Sequence, residues 1–465
     1  MNSHSTVKSV SRWSLLVKTL AVAVIAVTLT ENASTLESPS IAWARRGGSS
    51  GSDEVIRGVE TDRLGNIYTA GNFKNTSTFS GTSTTLQSAG GSDVNVMKWN
   101  KNGSLLWARR FGSSGDDIAY DVATDDFYNA IVCGRFQQSV QFGSYTLTSV
   151  GSDSSSFVTK LNFAGRVLWA KAAPGVIPSE CIADAAGHVL VVGSFRGTAT
   201  WGTISKTSAG NLDAFVAKYD RNGNIQWVQT VAGSGTNLGR GVEVAEDGTN
   251  DILITGQFDG TQTMGTTQMT SNGSTDVWLG RLAPTGAWKW VKQIGGAGED
   301  YGRGVSAKGS KIAIAGSFTG TINFLGQSLT SNGGTDVYVA KLNANGGLLW
   351  VNHTGSSDND EGAEVNFDPR GNLLVVGTYW KSTTVSNVTN KSRDFLITLF
   401  DRNGNAQWLA SPSGGSLSDV SYAAEADRFG NYLFAGFFRG TATFGTTTLT
   451  SAGSEDMVLG KIGRQ

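Results

Sequence analysis

The side chains best placed to do chemistry recur at a period of roughly sixty residues. Aligned on Val59, Val122, Cys181, Val242, Val305, Val365 and Ala424, the residue five places earlier is Glu54, Asp117, Val176, Asn237, Asp300, Asp360 and Asp419. All but Val176 and Asn237 are acidic. The residue two places earlier is Arg57, Tyr120, Ser179, Arg240, Arg303, Ala363 and Tyr422. Brought together, such carboxylates could offer hard oxygen ligands to a cation or polar contacts to a small ligand. The competing role is structural. Each acid can tether its own loop by accepting backbone N–H bonds or by pairing with Arg57, Arg240 or Arg303. Recurrence in nearly every repeat favours tethers, because a binding site would break the symmetry. Repeats three and four, which lack the acid, are where a break is expected. The candidate ligand-binding set is therefore Glu54, Arg57, Asp117, Arg240, Asp300, Arg303, Asp360 and Asp419.

Other constellations read as structural. Asp220-Arg-Asn-Gly-Asn224 recurs as Asp401-Arg-Asn-Gly-Asn405 and superficially suggests calcium. Asp and Asn tolerate left-handed dihedrals and Gly has no Cβ, so hairpin turns explain the phrase. The downstream bidentate Glu of a calcium loop is missing. The basic column Lys98, Lys160, Lys218, Arg281, Lys341 and Lys461 reads as snorkelling strand ends rather than a polyanion stripe. His188 and His353 fall at different places in the repeat, and no Gly-x-Ser-x-Gly elbow stands in a strand-turn-helix context, which speaks against a hydrolytic triad. Cys133 and Cys181 occupy apolar strand positions and read as free buried thiols, with a disulfide as the alternative. No metal, cofactor or catalytic residue is assigned.

The elements that must position these residues come from a fifteen-residue phrase, seen from Asp213 to Trp227. It also runs from Asp93 to Trp107, Ser155 to Trp169, Asp276 to Trp290, Asp336 to Trp350 and Asp394 to Trp408. Each copy is an apolar strand, a turn ending in glycine (Gly103, Gly165, Gly223, Gly286, Gly346, Gly404) and a strand ending in tryptophan. Two further strands and a Thr/Ser/Gly-rich excursion precede each phrase. Strands such as Val189-Leu-Val-Val192 are apolar on both faces, so both faces must be covered. Four-stranded sheets stacked around an axis do this, each tryptophan forming an apolar plate between neighbours. The final copy, from Asp456, lacks its tryptophan strand; Ile41-Ala-Trp43-Ala stands near the other end of the chain. The expected fold is an all-β, seven-bladed β-propeller of four-stranded antiparallel blades over 41–465, closed by an N-terminal strand completing the last blade. The acid and arginine columns would then form two rings near the mouth of the channel. In the sixth repeat Thr384 to Asn390 reads as an exposed, lengthened hairpin edge.

The matching pieces Val59-Glu-Thr-Asp62, Gly65-Asn-Ile-Tyr-Thr-Ala-Gly71 and Asp213-Ala-Phe-Val-Ala-Lys218 resemble the bacterial β-propeller repeat (SBBP repeat) family. The resemblance covers nearly all of 41–463. It implies a propeller and an extracytoplasmic home, and no catalytic residues. Residues 1–33 read as a signal peptide, with Lys8, Arg12 and Lys18 ahead of the apolar run Leu20 to Leu29; an uncleaved anchor is the alternative. Residues 34–40 read as a linker, and no later segment could span a bilayer as a helix. A net charge of −1 gives no global pull toward nucleic acid. The expected role is an exported, monomeric, non-catalytic scaffold, secreted or held in the periplasm or at the cell surface, that presents a surface to protein or carbohydrate partners. The alternative is a propeller enzyme of lyase, hydrolase or quinoprotein kind acting at the mouth, and a third reading is surface adhesion.

Overall fold

A computed structural model describes residues 27–28, 39–51, 54–150, 154–385, 388–410 and 417–464, with backbone only at 27–28 and 381–392. The expected signal peptide and most of the linker lie outside the described residues. The described chain is all-β, without a helix, and forms a propeller-like arrangement of antiparallel sheets. The third repeat shows the pattern. Val176–Ala183 pairs with Val189–Phe195, which pairs with Asp213–Tyr219, which pairs with Ile225–Gly233. The same antiparallel order recurs from Val55–Thr61, Ile118–Thr124, Asn237–Val244, Asp300–Lys308 and Glu361–Phe367. In the last repeat Val420–Ala426, Tyr432–Phe438 and Asp456–Ile462 are followed by Ile41–Gly48, with Trp43 opposite Lys461 and Gly47 opposite Met457. The first strand of each repeat touches that of the next, and Val420–Ala426 touches Val55–Thr61.

The sheets depart from separate four-stranded blades. Each Thr/Ser-rich excursion is a small hairpin, such as Thr198–Trp201 with Ile204–Thr207. In three places the hairpin also pairs with the last strand of the preceding repeat: Gly47 with Phe79, Ala232 with Thr263 and Gly295 with Asn323. These ladders merge strands into two six-stranded sheets and, with Val27–Thr28, one nine-stranded sheet; three sheets remain four-stranded. The hairpins alternate threonines outward, paired as Thr261 with Thr270 and Thr441 with Thr450. Their inward residues, among them Val140, Ala199 and Ile322, are buried. In the sixth repeat the ladder runs unbroken from Leu373↔Phe400 to Val385↔Val388, a lengthened hairpin whose outer side chains lie outside the described residues.

Tryptophan and glycine interlock adjacent repeats. The ring of Trp169 lies on Gly223 of the next repeat, where an added Cβ would sit 2.7 Å from Cδ2. The same docking joins Trp43 to Gly103, Trp107 to Gly165, Trp227 to Gly286, Trp290 to Gly346 and Trp350 to Gly404. The indole N–H of Trp107, Trp169, Trp227 and Trp350 donates to a carbonyl of the same neighbouring turn, at 3.0–3.2 Å. The glycine is required twice over, since its φ is positive (+81° at Gly223) and the ring needs the space of the missing side chain. Trp408 is the exception, lying edge-on to Tyr432.

Gly223→Ala should destabilise the chain by about 2–4 kcal/mol, combining left-handed strain with displacement of Trp169. Gly197→Ala, with positive φ but nothing within 4 Å, should cost only about 1 kcal/mol. Urea unfolding of both variants checks this. Equal losses would mean that the tryptophan contact contributes nothing.

Candidate binding site at the channel mouth

The acidic column does not reach the mouth. Glu54, Asp117, Asp300, Asp360 and Asp419 are all fully buried. Asp117 accepts the N–H of Ser113 at 2.6 Å and of Gln137 at 2.9 Å. Asp300 accepts from Gly296 and Thr319, Asp360 from Ser356 and Trp380, and Asp419 from Arg439. Glu54 takes the hydroxyl of Ser49. Each carboxylate thus ties the loop before its strand or the end of the second strand. Burial pushes the carboxyls up, Asp300 to about 7 and Asp360 to about 6, against the lowering effect of those N–H bonds. In repeat four the acid has moved: Asn237 stands in the column, and Asp259 accepts the N–H of Thr236 at 2.7 Å.

Of the two tethers weighed for these acids, backbone N–H bonds are formed, and among the described residues Arg57, Arg240 and Arg303 form no ion pair with them. The second column turns out to hold one register position, the β-bulge of each first strand. The ladder skips a residue between Ile56 and Gly58, Gly239 and Gly241, Gly302 and Gly304, and Ser421 and Ala423, leaving Arg57, Arg240, Arg303 and Tyr422 unpaired. Tyr120, Ser179 and Ala363 are skipped in the same way. A bulge re-aims its side chain, which explains how a column in the middle of a ladder reaches the channel mouth. Arg57 donates to Asn72 Oδ1 and lies 5.1 Å from the ring centre of Tyr422, and Arg303 lies 5.5 Å from that of Tyr301. Asn72 marks a second position at this end, occupied in repeat two by Arg135, which sequence reasoning missed. Among the described residues none of Arg57, Arg135, Arg240 and Arg303 has a carboxylate within salt-bridge distance. Burial and the nearby charge of Arg303 draw Arg240 down to about 10.

Deeper in the channel lies a set of carboxylates that the column alignment hides. Asp121, Glu180 and Glu364 stand one residue before the aligned position, whereas Glu60, Glu243 and Glu425 stand one residue after it. In a strand both neighbours point to the same face. Carboxylates of opposite repeats feel each other's charge, Glu60 with Glu243 and Glu180 with Glu364, so the set faces a common axis. They also link neighbouring strands: Asp121 accepts the N–H of Cys181 at 2.9 Å, and Glu364 that of Ala424 at 2.9 Å. At the seam between last and first repeats, Glu425 accepts the hydroxyl of Thr61, and burial and the charge of Glu60 push its carboxyl up. Enclosure raises Glu60, Glu243 and Glu364 to about 8 and Asp121 to about 6. The legible signal was an acid on one side or the other of the column in every repeat but the fifth, which has Ser306.

The basic column is corrected from snorkelling ends to buried ties. Lys160 pairs with Asp125 at 2.7 Å, Lys218 with Asp184 at 3.1 Å, Lys461 with Asp427 at 3.0 Å and Lys98 with Asp62 at 3.5 Å. Arg281 holds Asp247 and Asp251, and Lys341 donates to the carbonyls of Gly371 and Arg402. The Asp220 turn closes on itself, accepting the N–H of Asn222 and Asn224. Cys133 and Cys181 are free and buried, Cys181 Sγ donating to the carbonyl of Ile131 at 3.8 Å, with both thiols raised by burial. Among the described residues no three His, Cys, Asp or Glu side chains are grouped to hold a metal ion. No described helix is long and apolar enough to cross a membrane.

No family model matches the chain. It is 23% identical over 454 residues to an uncharacterized WD repeat-containing protein, L264, of Acanthamoeba polyphaga mimivirus. The match covers 75% of this chain, which spans about a third (32%) of that relative's length. Among solved structures, Sqt1 from Chaetomium thermophilum aligns over 90% of this chain and 86% of its own, at 10% identity and TM-score 0.39. A protein of unknown function from Bacteroides caccae aligns over 68% of this chain and 94% of its own, at 11% identity and TM-score 0.32. The architecture and the distant WD repeat relative mark the chain as a propeller-like repeat protein.

The channel carboxylates have a consequence for stability. Each binds its proton more tightly folded than unfolded, so its contribution is complete below the ordinary carboxyl range and is lost as pH rises through the folded value. The melting temperature should fall between about pH 5 and pH 9, and less steeply in Glu243→Gln, whose amide never charges. Parallel melting curves for the two proteins across that range would remove Glu243 from this account.

Proposed function

We propose that this chain is an exported, non-catalytic propeller scaffold of seven four-stranded blades, related to the SBBP repeats, that presents its channel mouth to a protein or glycan partner. It acts as a monomer, secreted or held in the periplasm or at the cell surface. The observation that carries this reading is the contrast between the two columns. The acids and lysines that recur are occupied by backbone and by one another, whereas the bulge position changes from repeat to repeat among Arg, Tyr, Ser and Ala. Constant positions hold the scaffold together, and the variable one at the mouth is free to recognise. Export is supported by the basic and apolar pattern of residues 1–33, and the seven-blade ring by the contacts between successive first strands. An experimental map with another number of blades would remove the ring.

Immobilised full-length protein should retain an envelope or medium component, or give a glycan-array signal, that weakens on Tyr422→Ala. Tyr422 is 36% exposed at the mouth, so the substitution should leave the melting temperature nearly unchanged. Recovery of the protein in the cytoplasm, or retention unaffected by Tyr422→Ala, would refute the reading.

A further inference from the structure

Among the described residues, Arg135 and Arg240 each bury Nε against no acceptor, and Arg303 makes no side-chain hydrogen bond. A guanidinium that is partly desolvated and has no acid is costly unless something else supplies negative charge. Arg57 and Arg135 belong to repeats one and two, and Arg240 and Arg303 to repeats four and five, so the cations form two groups around the opening. Aromatic rings beside Arg57 and Arg303 hold those side chains in place. Gln257 shares the register position of Asn72 and Arg135; it is 7% exposed, and its Oε1 has no donor. Among the described residues, Arg135 Nε and Arg240 Nε therefore lack an acceptor and Gln257 Oε1 lacks a donor. Carboxylates do stand at the same rim, but Glu299 accepts the hydroxyl of Tyr301, and Glu361 is exposed.

Resting on the mouth as the binding surface, we propose that it takes a saccharide chain carrying carboxylate or sulfate groups, with anions on Arg240 and Arg303 and on Arg57 and Arg135, and a sugar hydroxyl donating to Gln257. Guanidinium forks match planar carboxylates and sulfates bidentately. Two separated cation groups favour a chain with repeated charges over a single small anion. A sugar unit also carries the donor that a bare oxyanion lacks.

Calorimetry on the full chain in low salt should show binding of an oligogalacturonate or a sulfated oligosaccharide, the two arms separating carboxylate from sulfate. A neutral oligosaccharide of equal length and a polyglutamate peptide should bind at least about tenfold more weakly. Arg240→Met with Arg303→Met should lower affinity about tenfold or more, and Arg221→Met, on an exposed turn, should not. Without ligand, the double variant should melt at the same temperature or higher, because two unpaired cations are gone. The proposal is overturned if neither anionic saccharide binds, if the neutral chain or the peptide binds as well, if the double variant keeps its affinity, or if its melting temperature drops as for a lost structural tie. Should the variant not fold, the comparison of ligands on the unaltered chain still decides. A neutral partner whose retention depends on Tyr422 would sink this inference and leave the scaffold reading standing.

Discussion

The structure depends on an indole ring resting where a side chain is missing. Each repeat ends in a tryptophan, and for all but Trp408 the following repeat offers a glycine turn flat enough to receive it. The contact is apolar over the ring and polar at its edge, where the N–H finds a carbonyl of the same turn. Because donor and acceptor lie in successive repeats, no repeat satisfies itself, and each needs a neighbour on both sides. An open stack would leave one exposed tryptophan and one bare glycine turn. Placing Trp43 on Gly103 removes that end, since the strand that completes the last repeat carries the ring that docks on the first.

The polar interior serves the same geometry. Burying a carboxylate is unfavourable unless hydrogen bonds compensate it, and here they do so at fixed offsets. Asp117, Asp300 and Asp360 hold loop to strand, while Asp125, Asp184 and Asp427 hold turn to third strand through a lysine. Isolated ion pairs of this kind add little net stability, but losing one partner strands a buried charge. That asymmetry makes them selective for one register, which the flat, glycine-rich hairpins would otherwise specify weakly.

What the sequence made legible follows from how local each signal is. A turn glycine and a strand tryptophan at constant spacing are both local, so the hairpins, their order and the displaced closing strand could be read directly. The tether role of the acids was legible from recurrence, although their partners were not, because Gln137 and Trp380 lie some twenty residues away across a turn. The ion pairs were missed because the lysine stands in the third strand and the aspartate in a turn some thirty residues away, and only their joint recurrence marks them. The bridging hairpins were missed because two backbone pairs between repeats leave no trace in side-chain pattern. The channel carboxylates escaped for a subtler reason. An acid one place before the column and one place after it are equivalent on a pleated strand, yet any alignment on one column separates them. Gly58 shows the complement: a Cβ there would meet Asp121 Oδ1 of the next repeat at 2.7 Å, so one repeat yields the space that the next one's acid fills.

The same stagger sets the electrostatics along the axis. Six carboxyls facing one narrow channel cannot all ionise near neutral pH, because each charge raises the cost of the next. Burial among the first strands and the charges of the neighbouring acids push these carboxyls up, while Asp121 and Glu364 still accept backbone N–H bonds. Arginines at the bulges stand only a few residues nearer the mouth, and among the described residues no carboxylate lies within salt-bridge distance of them. The guanidinium groups therefore gather at one end of the axis and the raised carboxyls lie below them, although the whole chain carries a net charge of only −1. The upward shift follows from ring closure: were the first strands apart, water would return the carboxyls to their ordinary range.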